Sequence, residues 1–169
     1  SLHMFESVKA LSFRGEAPPQ MKDFTAIAQS ASSSLPDWVS AYVGLPFKEG
    51  GRNRDGLDCY GLLRLVINER FGGAVPEYEG IAYRPGEDSS LLAALMDERI
   101  RLWRPIAIGE EKPGDGVLLR VMGRPIHVGV VVAPGFMLHI EKNCDSILER
   151  FTNGSRWEKR LLGFYRHAA

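Results

Sequence analysis

Hydrophobic positions follow two periods along the chain, one helical and one extended. Leu62, Leu65, Val66 and Ile67 recur at helical spacing between Cys59 and Phe71, with Asp58 ahead of them as a good N-cap and Gly72-Gly73 behind them as a stop. This predicts a helix over 59–71 with Cys59 in its first turn. Upstream, Pro36, Asp37 and Trp38 open a short helical stretch through Tyr42 and Val43, which Gly44 stops and Pro46 keeps from resuming; a Gly-rich loop follows from Glu49 to Leu57. The stretch from Val75 to Lys112 is mixed and reads as an elaboration, with a helix predicted from Ser90 to Leu102 on Leu91, Leu92, Leu95 and Ile100. After the Pro113-Gly114-Asp115-Gly116 turn the pattern changes to strands: Val117 to Val121, Ile126 to Val132, Phe136 to Ile140, Ile147 to Phe151 and Leu161 to Tyr165. Helices first and strands after, without an internal repeat, predict an α+β fold whose second half is an antiparallel sheet. Residues 1–34 are weakly patterned and end in Ser-Ala-Ser-Ser-Ser, an extension in front of a domain over 35–169; Ser1-Leu2-His3 before Met4 are set aside as a cloning remnant.

Length and composition narrow the class. A chain of 169 residues is one domain's worth, and 44% hydrophobic with 25% charged residues is ordinary globular usage, which excludes disorder and collagen-like repeats. Lys plus Arg at 21 balances Asp plus Glu at 21, so no global field attracts nucleic acid or anionic lipid, and neither is expected as a partner. No apolar run is long enough for a membrane span, and the first residues lack an apolar signal region, so a protein made in the cytoplasm without an export signal is expected.

Candidate chemistry centres on one of the two cysteines, Cys59 and Cys144, which form no Cys-x-x-Cys and suggest no disulfide framework. Cys59, at a helix N-terminus, meets unpaired N–H groups and a partial positive charge that favour thiolate. Gly56 and Gly61 flank it, leaving room for a substrate carbonyl near its backbone N–H, a potential oxyanion donor. Cys144 follows Asn143 in a loop without such a setting.

His127 and His139 lie in successive predicted strands joined by Ala133-Pro134-Gly135. A three-residue loop would set Val132 opposite Phe136, Gly129 opposite His139 and His127 opposite Glu141, placing both imidazoles on one side of the sheet as diagonal neighbours. A two-residue loop would put them on opposite faces, and Pro134 fits the usual three-residue turn poorly. On one face they permit a nucleophile, base and orienter set: Cys59 attacks, His127 takes its proton and returns it to the leaving amine, His139 orients His127. Such pairing is expected to pull the Cys59 thiol below its ordinary value of about 8.5 and make it alkylate faster than Cys144 near neutral pH. A zinc site from the same residues lacks paired local spacing and a fourth ligand, so neither metal nor cofactor is expected.

These residues resemble the NlpC-type cell-wall peptidases, the NlpC and p-sixty superfamily, over roughly Leu35 to His167. The resemblance rests on Gly44-Leu45-Pro46-Phe47-Lys48-Glu49-Gly50-Gly51, Gly56-Leu57-Asp58-Cys59-Tyr60-Gly61-Leu62, Pro113-Gly114-Asp115, His127-Val128-Gly129-Val130 and Leu138-His139. It implies a compact papain-like fold and hydrolysis of an amide in peptidoglycan stem peptides, typically between γ-linked D-glutamate and a diamino acid, by Cys59, His127 and His139. It further implies that Asp58, besides capping its helix, helps bind the free amine of the peptide. Many members have Tyr where this chain has Phe47, which keeps the ring and loses the hydroxyl, so an altered substrate contact is expected there. Tyr60, in place of a small Ser, is expected to reshape the groove. Tyr60, the segment between helix and sheet, and the ending Leu162-Gly163-Phe164-Tyr165-Arg166-His167 look most like the phage tail-assembly peptidases of the lambda K type. That likeness implies tail-tip proteins as partners and delivery to the periplasmic cell wall in an assembled tail. Two other readings share the same residues: a tail assembly module with an idle triad, and a thiol acyltransferase using the same acyl-enzyme.

Overall fold

The computed structural model describes residues 35–77 and 102–168, with the backbone alone at 124–126. The extension over 1–34 and all but the last residue of the helix expected from Ser90 to Leu102 lie outside these residues. All the elements described belong to the compact unit Pro36–Ala169. The short stretch after Pro36 forms a 3-10 helix, Asp37–Tyr42, and Gly44 beyond it takes a left-handed φ of 83°. The loop that follows contains a small antiparallel hairpin, β1 (Arg52–Asn53) with β2 (Gly56–Leu57), which the sequence pattern did not reveal.

Helix α1 runs over Cys59–Arg70. Asp58 caps it by accepting the Gly61 N–H at 2.7 Å, which satisfies one of the first-turn donors that have no partner within a helix. Phe71 closes the other end, and the left-handed Gly72 lets both the Phe71 and Gly73 N–H groups return to the Ile67 carbonyl at 3.0 and 3.2 Å. Gly61 is where the helix meets the hairpin: a Cβ there would collide with the Gly51 carbonyl. The absent side chain therefore brings the first turn of α1 against the loop that carries Arg52.

Among the described residues six strands make the sheet: β3 (Trp103–Ile106), β4 (Gly116–Val121), β5 (Arg124–Ala133), β6 (Phe136–His139), β7 (Ile147–Arg150) and β8 (Leu161–His167). Their order is β3-β8-β4-β5-β6-β7, every neighbour antiparallel. Strand β3 falls in the stretch read as an elaboration, where its Trp-Arg-Pro-Ile pattern gives no clear alternation; it is held at the sheet edge by β8. Helix α1 packs on one face, burying Leu62, Leu63, Val66 and Ile67 against Leu118, Val128, Val130, Val132 and Leu138. The other face carries a second core of Val117, Leu119, Val131, Met137, Phe151, Trp157 and Phe164. With both faces covered, β5 reads as an unbroken apolar run from Val128 to Ala133 instead of an alternation.

The β5–β6 connection departs from the three-residue loop expected. Pro134 and Gly135 alone form the turn between the paired residues Ala133 and Phe136, with Gly135 at φ 79°. Proline then glycine suits a tight turn that needs a fixed φ first and a positive φ second. A register shift between Val131 and Ala133 inserts Val132 as an extra residue, and Val131↔Met137 and Val130↔Leu138 pair beyond it. The bulge restores the parity that a two-residue loop alone would have reversed, so His127 and His139 share a face despite the shorter turn.

Candidate active site

Cys59 lies in the first turn of α1, buried with 3% of its surface exposed. Its sulfur is placed where the backbone N–H groups of Val128 and Tyr60 stabilise negative charge on it. Val128 belongs to the half of β5 that runs past the last β5–β6 pair at Val130, and His127 is the next residue along. The sequence-predicted nucleophile and base are thus brought to the same part of β5 from different elements.

The two imidazoles meet directly: His127 Nε2 stands 2.8 Å from His139 Nδ1. Both rings are buried, and Trp157 stacks on His127 at 22° between planes and meets His139 edge-on. Beyond His139 the site continues to a residue that sequence reasoning missed. Glu149 Oε1 stands 3.5 Å from His139 Nε2, at ion-pair range but too long for a hydrogen bond, and among the described residues Nε2 has no hydrogen-bond partner. Arg156 holds the Glu149 carboxylate with both arms, at 2.8 Å to each oxygen, and Trp157 Nε1 donates to it as well. Arg156 also donates to Glu141 at 2.8 Å. Glu149 is opposite Met137 and His139 opposite Ile147, so carrying the strand register one hairpin further would have placed Glu149 on the histidine face, diagonal to His139. Trp157 lies outside the strands and gave no such signal.

The remaining sequence-predicted residues lie around the cysteine. Asp58 is fully buried; its Oδ1 takes both the Gly61 N–H and the Arg52 guanidinium at 2.7 Å, while its Oδ2 has no hydrogen-bond partner among the described residues. Phe47 is half-buried on the core beside α1 and bridges to Leu57, two residues before the cysteine. Tyr60 is 3% exposed, with its hydroxyl on the Pro76 carbonyl at 3.0 Å and Arg52 over its ring. It is built into the packing behind the cysteine, not presented at the surface. Among the described residues no group of three His, Cys, Asp or Glu side chains converges as a metal site, and no helix is long and apolar enough to cross a membrane. Two cavities of about 270 and 520 Å³ open near Lys112 and Arg166, but neither is lined by Cys59, His127 or His139.

Electrostatics correct one expectation. Burial, and then the neighbouring Asp58 carboxylate, push the Cys59 thiol up to about 12, overriding the downward pull of the Val128 and Tyr60 N–H groups and of Arg52. The helix N-terminus favours thiolate, but removing the sulfur from water costs the charged form more. Burial, with the positive charges of His139 and Arg156, pulls His127 down to about 3. Burial lowers His139 as well, against the opposing pull of Glu149 and Glu141. In the substrate-free protein near pH 7, Cys59 is therefore a neutral thiol, and His127 and His139 are neutral imidazoles.

The sequence model of the NlpC/P60 family matches residues 44–166. The chain is 22% identical over 128 residues to the Escherichia coli (strain K12) murein DD-endopeptidase MepS/murein LD-carboxypeptidase, covering 76% of this chain and 58% of that protein. It thus spans less than two thirds of that relative's length. Among solved structures, an NlpC/P60 family protein from Bacillus cereus superposes with a TM-score of 0.54 at 16% identity, over 79% of this chain and 41% of the other. A protein similar to a lipoprotein of the NLP/P60 family from Staphylococcus aureus superposes with a TM-score of 0.52 at 19% identity, over 76% and 38%.

Burial sets the order of thiol reactivity. In the substrate-free protein near pH 7, iodoacetamide is expected to modify the exposed Cys144 before Cys59, with Cys59 labelling climbing as pH is raised. Peptide mapping of a labelling time course checks this, and faster labelling of Cys59 would show a resting ion pair instead. The histidines also make stability pH-dependent. Between an unfolded value of about 6.5 and the folded value of about 3, unfolded chains bind a proton at His127 that the native protein refuses. Stability present above about pH 6.5 is consequently lost as pH falls toward 3. The drop in melting temperature from pH 7 to pH 5 should be smaller in His127→Asn than in wild type; equal drops would contradict the assignment.

Proposed function

Since the chain belongs to the NlpC/P60 family, we propose that it is a cysteine peptidase that hydrolyses amides in peptidoglycan stem peptides, with Cys59 as nucleophile, His127 as base and His139 as orienter. The observation that carries this reading is the buried contact of His127 Nε2 with His139 Nδ1 at 2.8 Å, one residue from the backbone N–H that meets the Cys59 sulfur. A binding module has no use for a thiol at a helix N-terminus beside two hydrogen-bonded imidazoles. The sulfur attacks the scissile carbonyl as its proton passes to His127, the C–N bond breaks as that proton goes to the leaving amine, and water then hydrolyses the thioester. Water resolves the acyl-enzyme in this reading; another amine in its place would make the protein an acyltransferase.

Within that class the γ-D-glutamyl to diamino-acid amide is the proposed bond. It is supported by Asp58 Oδ2, a buried carboxylate oxygen without a partner beside the nucleophile, which suits the free ammonium of an L-Ala-γ-D-Glu peptide. The relative from Escherichia coli is named for a DD-endopeptidase and LD-carboxypeptidase, so stem peptides containing those bonds are the natural comparison substrates. The setting proposed for the activity is a phage tail tip that opens the wall during genome entry, which rests on the likeness of Tyr60 and the Leu162 to His167 ending to tail-assembly peptidases. Its partners would be tail-tip proteins, and its route to the periplasmic wall would be the assembled particle.

Mass spectrometry of defined muropeptides tests the reading. Wild type is expected to release L-Ala-γ-D-Glu from peptides with a free L-Ala amine, and Cys59→Ala to release none while keeping its melting temperature. Turnover by Cys59→Ala would discard the mechanism; release from the D,D bond alone would move the cleavage site. No cleavage by well-folded wild type under reducing conditions would favour the assembly module.

A further inference from the structure

We propose that Glu149 is a positioning residue that selects the tautomer of His139 and, through it, leaves His127 Nδ1 as the basic lone pair; the proposal rests on the peptidase reading above. The 2.8 Å contact between His127 Nε2 and His139 Nδ1 allows two proton arrangements. In one, His139 carries its proton on Nε2 and accepts the Nε2–H of His127, which leaves His127 Nδ1 unprotonated. In the other, His139 donates from Nδ1, which forces the His127 proton onto Nδ1 and puts the His139 Nε2 lone pair in front of Glu149. A carboxylate oxygen 3.5 Å away repels that lone pair and attracts an N–H, so the first arrangement is selected. Only that arrangement gives Cys59 a base at His127 Nδ1.

Glu149 is itself held for the task. Arg156 grips both its oxygens and Trp157 Nε1 donates to it, which keeps the carboxylate ionised and fixed in direction. Among the described residues, the charged groups acting on His139 are Glu141, Glu149 and Arg156: two carboxylates against one guanidinium. Their excess negative charge favours positive charge on the imidazole pair when His127 takes the thiol proton. Trp157 covers both rings and keeps water from offering His139 Nε2 an alternative partner. The 3.5 Å separation belongs to the substrate-free site, where such contacts are commonly long. No proton is transferred to Glu149: it leaves the Cys59 sulfur, rests on His127 Nδ1 and departs on the leaving amine.

The test combines ring nitrogen NMR with kinetics. In substrate-free wild type, the imidazole ¹⁵N spectrum is expected to show His127 and His139 both protonated on Nε2. In Glu149→Gln the side-chain oxygen stays with Arg156 and Trp157 and its amide faces His139, so both rings are expected to switch to Nδ1–H. With that switch kcat should fall about tenfold or more at little change in KM, and the acid limb of kcat/KM should move to lower pH. Glu149→Asp, which keeps the charge, should recover part of kcat. Wild-type tautomers together with wild-type kcat in a folded Glu149→Gln would overturn the proposal. Nδ1–H on His139 in the wild type would overturn it without any variant, and so covers the case in which Glu149→Gln fails to fold. The tautomer readout needs no substrate: wild type with Nε2–H rings but no muropeptide cleavage would sink the peptidase reading while leaving the role of Glu149 in place.

Discussion

One unpaired residue in β5 sets the geometry of this molecule's candidate chemistry. Side chains of a strand alternate between faces, so the position of His127 relative to His139 depends on whether the residues between their strands are odd or even in number. The Pro134-Gly135 turn by itself gives the wrong parity, and the bulge at Val132 corrects it. With the bulge, Met137, His139 and Glu149 follow one another on the face that Trp157 covers, and the buried contact between the two histidines becomes possible. Without it, His127 would turn to the opposite face of the sheet from His139, and their contact would be lost. Bulges cost pairing, and they persist where they aim a side chain.

The second constraint is burial. A helix N-terminus, the Val128 and Tyr60 N–H groups and Arg52 all favour charge on Cys59, yet the sulfur is held as a thiol because it is shielded from water and lies beside Asp58. Asp58 thus does two opposing things: it organises the first turn of α1 through Gly61 and Arg52, and it raises the cost of charge on the neighbouring sulfur. On the proposed mechanism an incoming ammonium at Asp58 Oδ2 would offset that charge. Substrate binding would then favour thiolate where the empty site does not, which couples recognition of the peptide amine to activation of the nucleophile.

Much of this was legible in the sequence. The cap, the stop and the periodicity of α1 are local, so Asp58, Cys59 and Gly72 could be placed before any packing was known. The strands of the second half were found because their apolar runs are bounded by Pro and Gly turns, and His127 and His139 could be paired by counting across a loop. The count reached the right face for a different reason, since the loop is one residue shorter and a bulge makes up the difference, a feature that depends on neighbouring strands and leaves no residue signature at Val132. The β1–β2 hairpin and β3 were missed because two-residue strands and an edge strand containing Pro105 carry no usable alternation. Glu149 and Trp157 were missed because their roles exist only through contacts with a residue far away in the chain. The raised thiol value was missed because helix polarity can be read from a sequence, whereas the depth of burial that opposes it cannot.

The most direct measurement on the central claim is intact-protein mass spectrometry of a muropeptide reaction quenched in acid within the first turnover, followed by peptide mapping. The account predicts a transient acyl adduct of L-Ala-γ-D-Glu on Cys59, lost on longer incubation and absent from Cys144. Product formation with no adduct at any time under single-turnover conditions, or an adduct confined to another residue, would contradict a mechanism that passes through the Cys59 thioester.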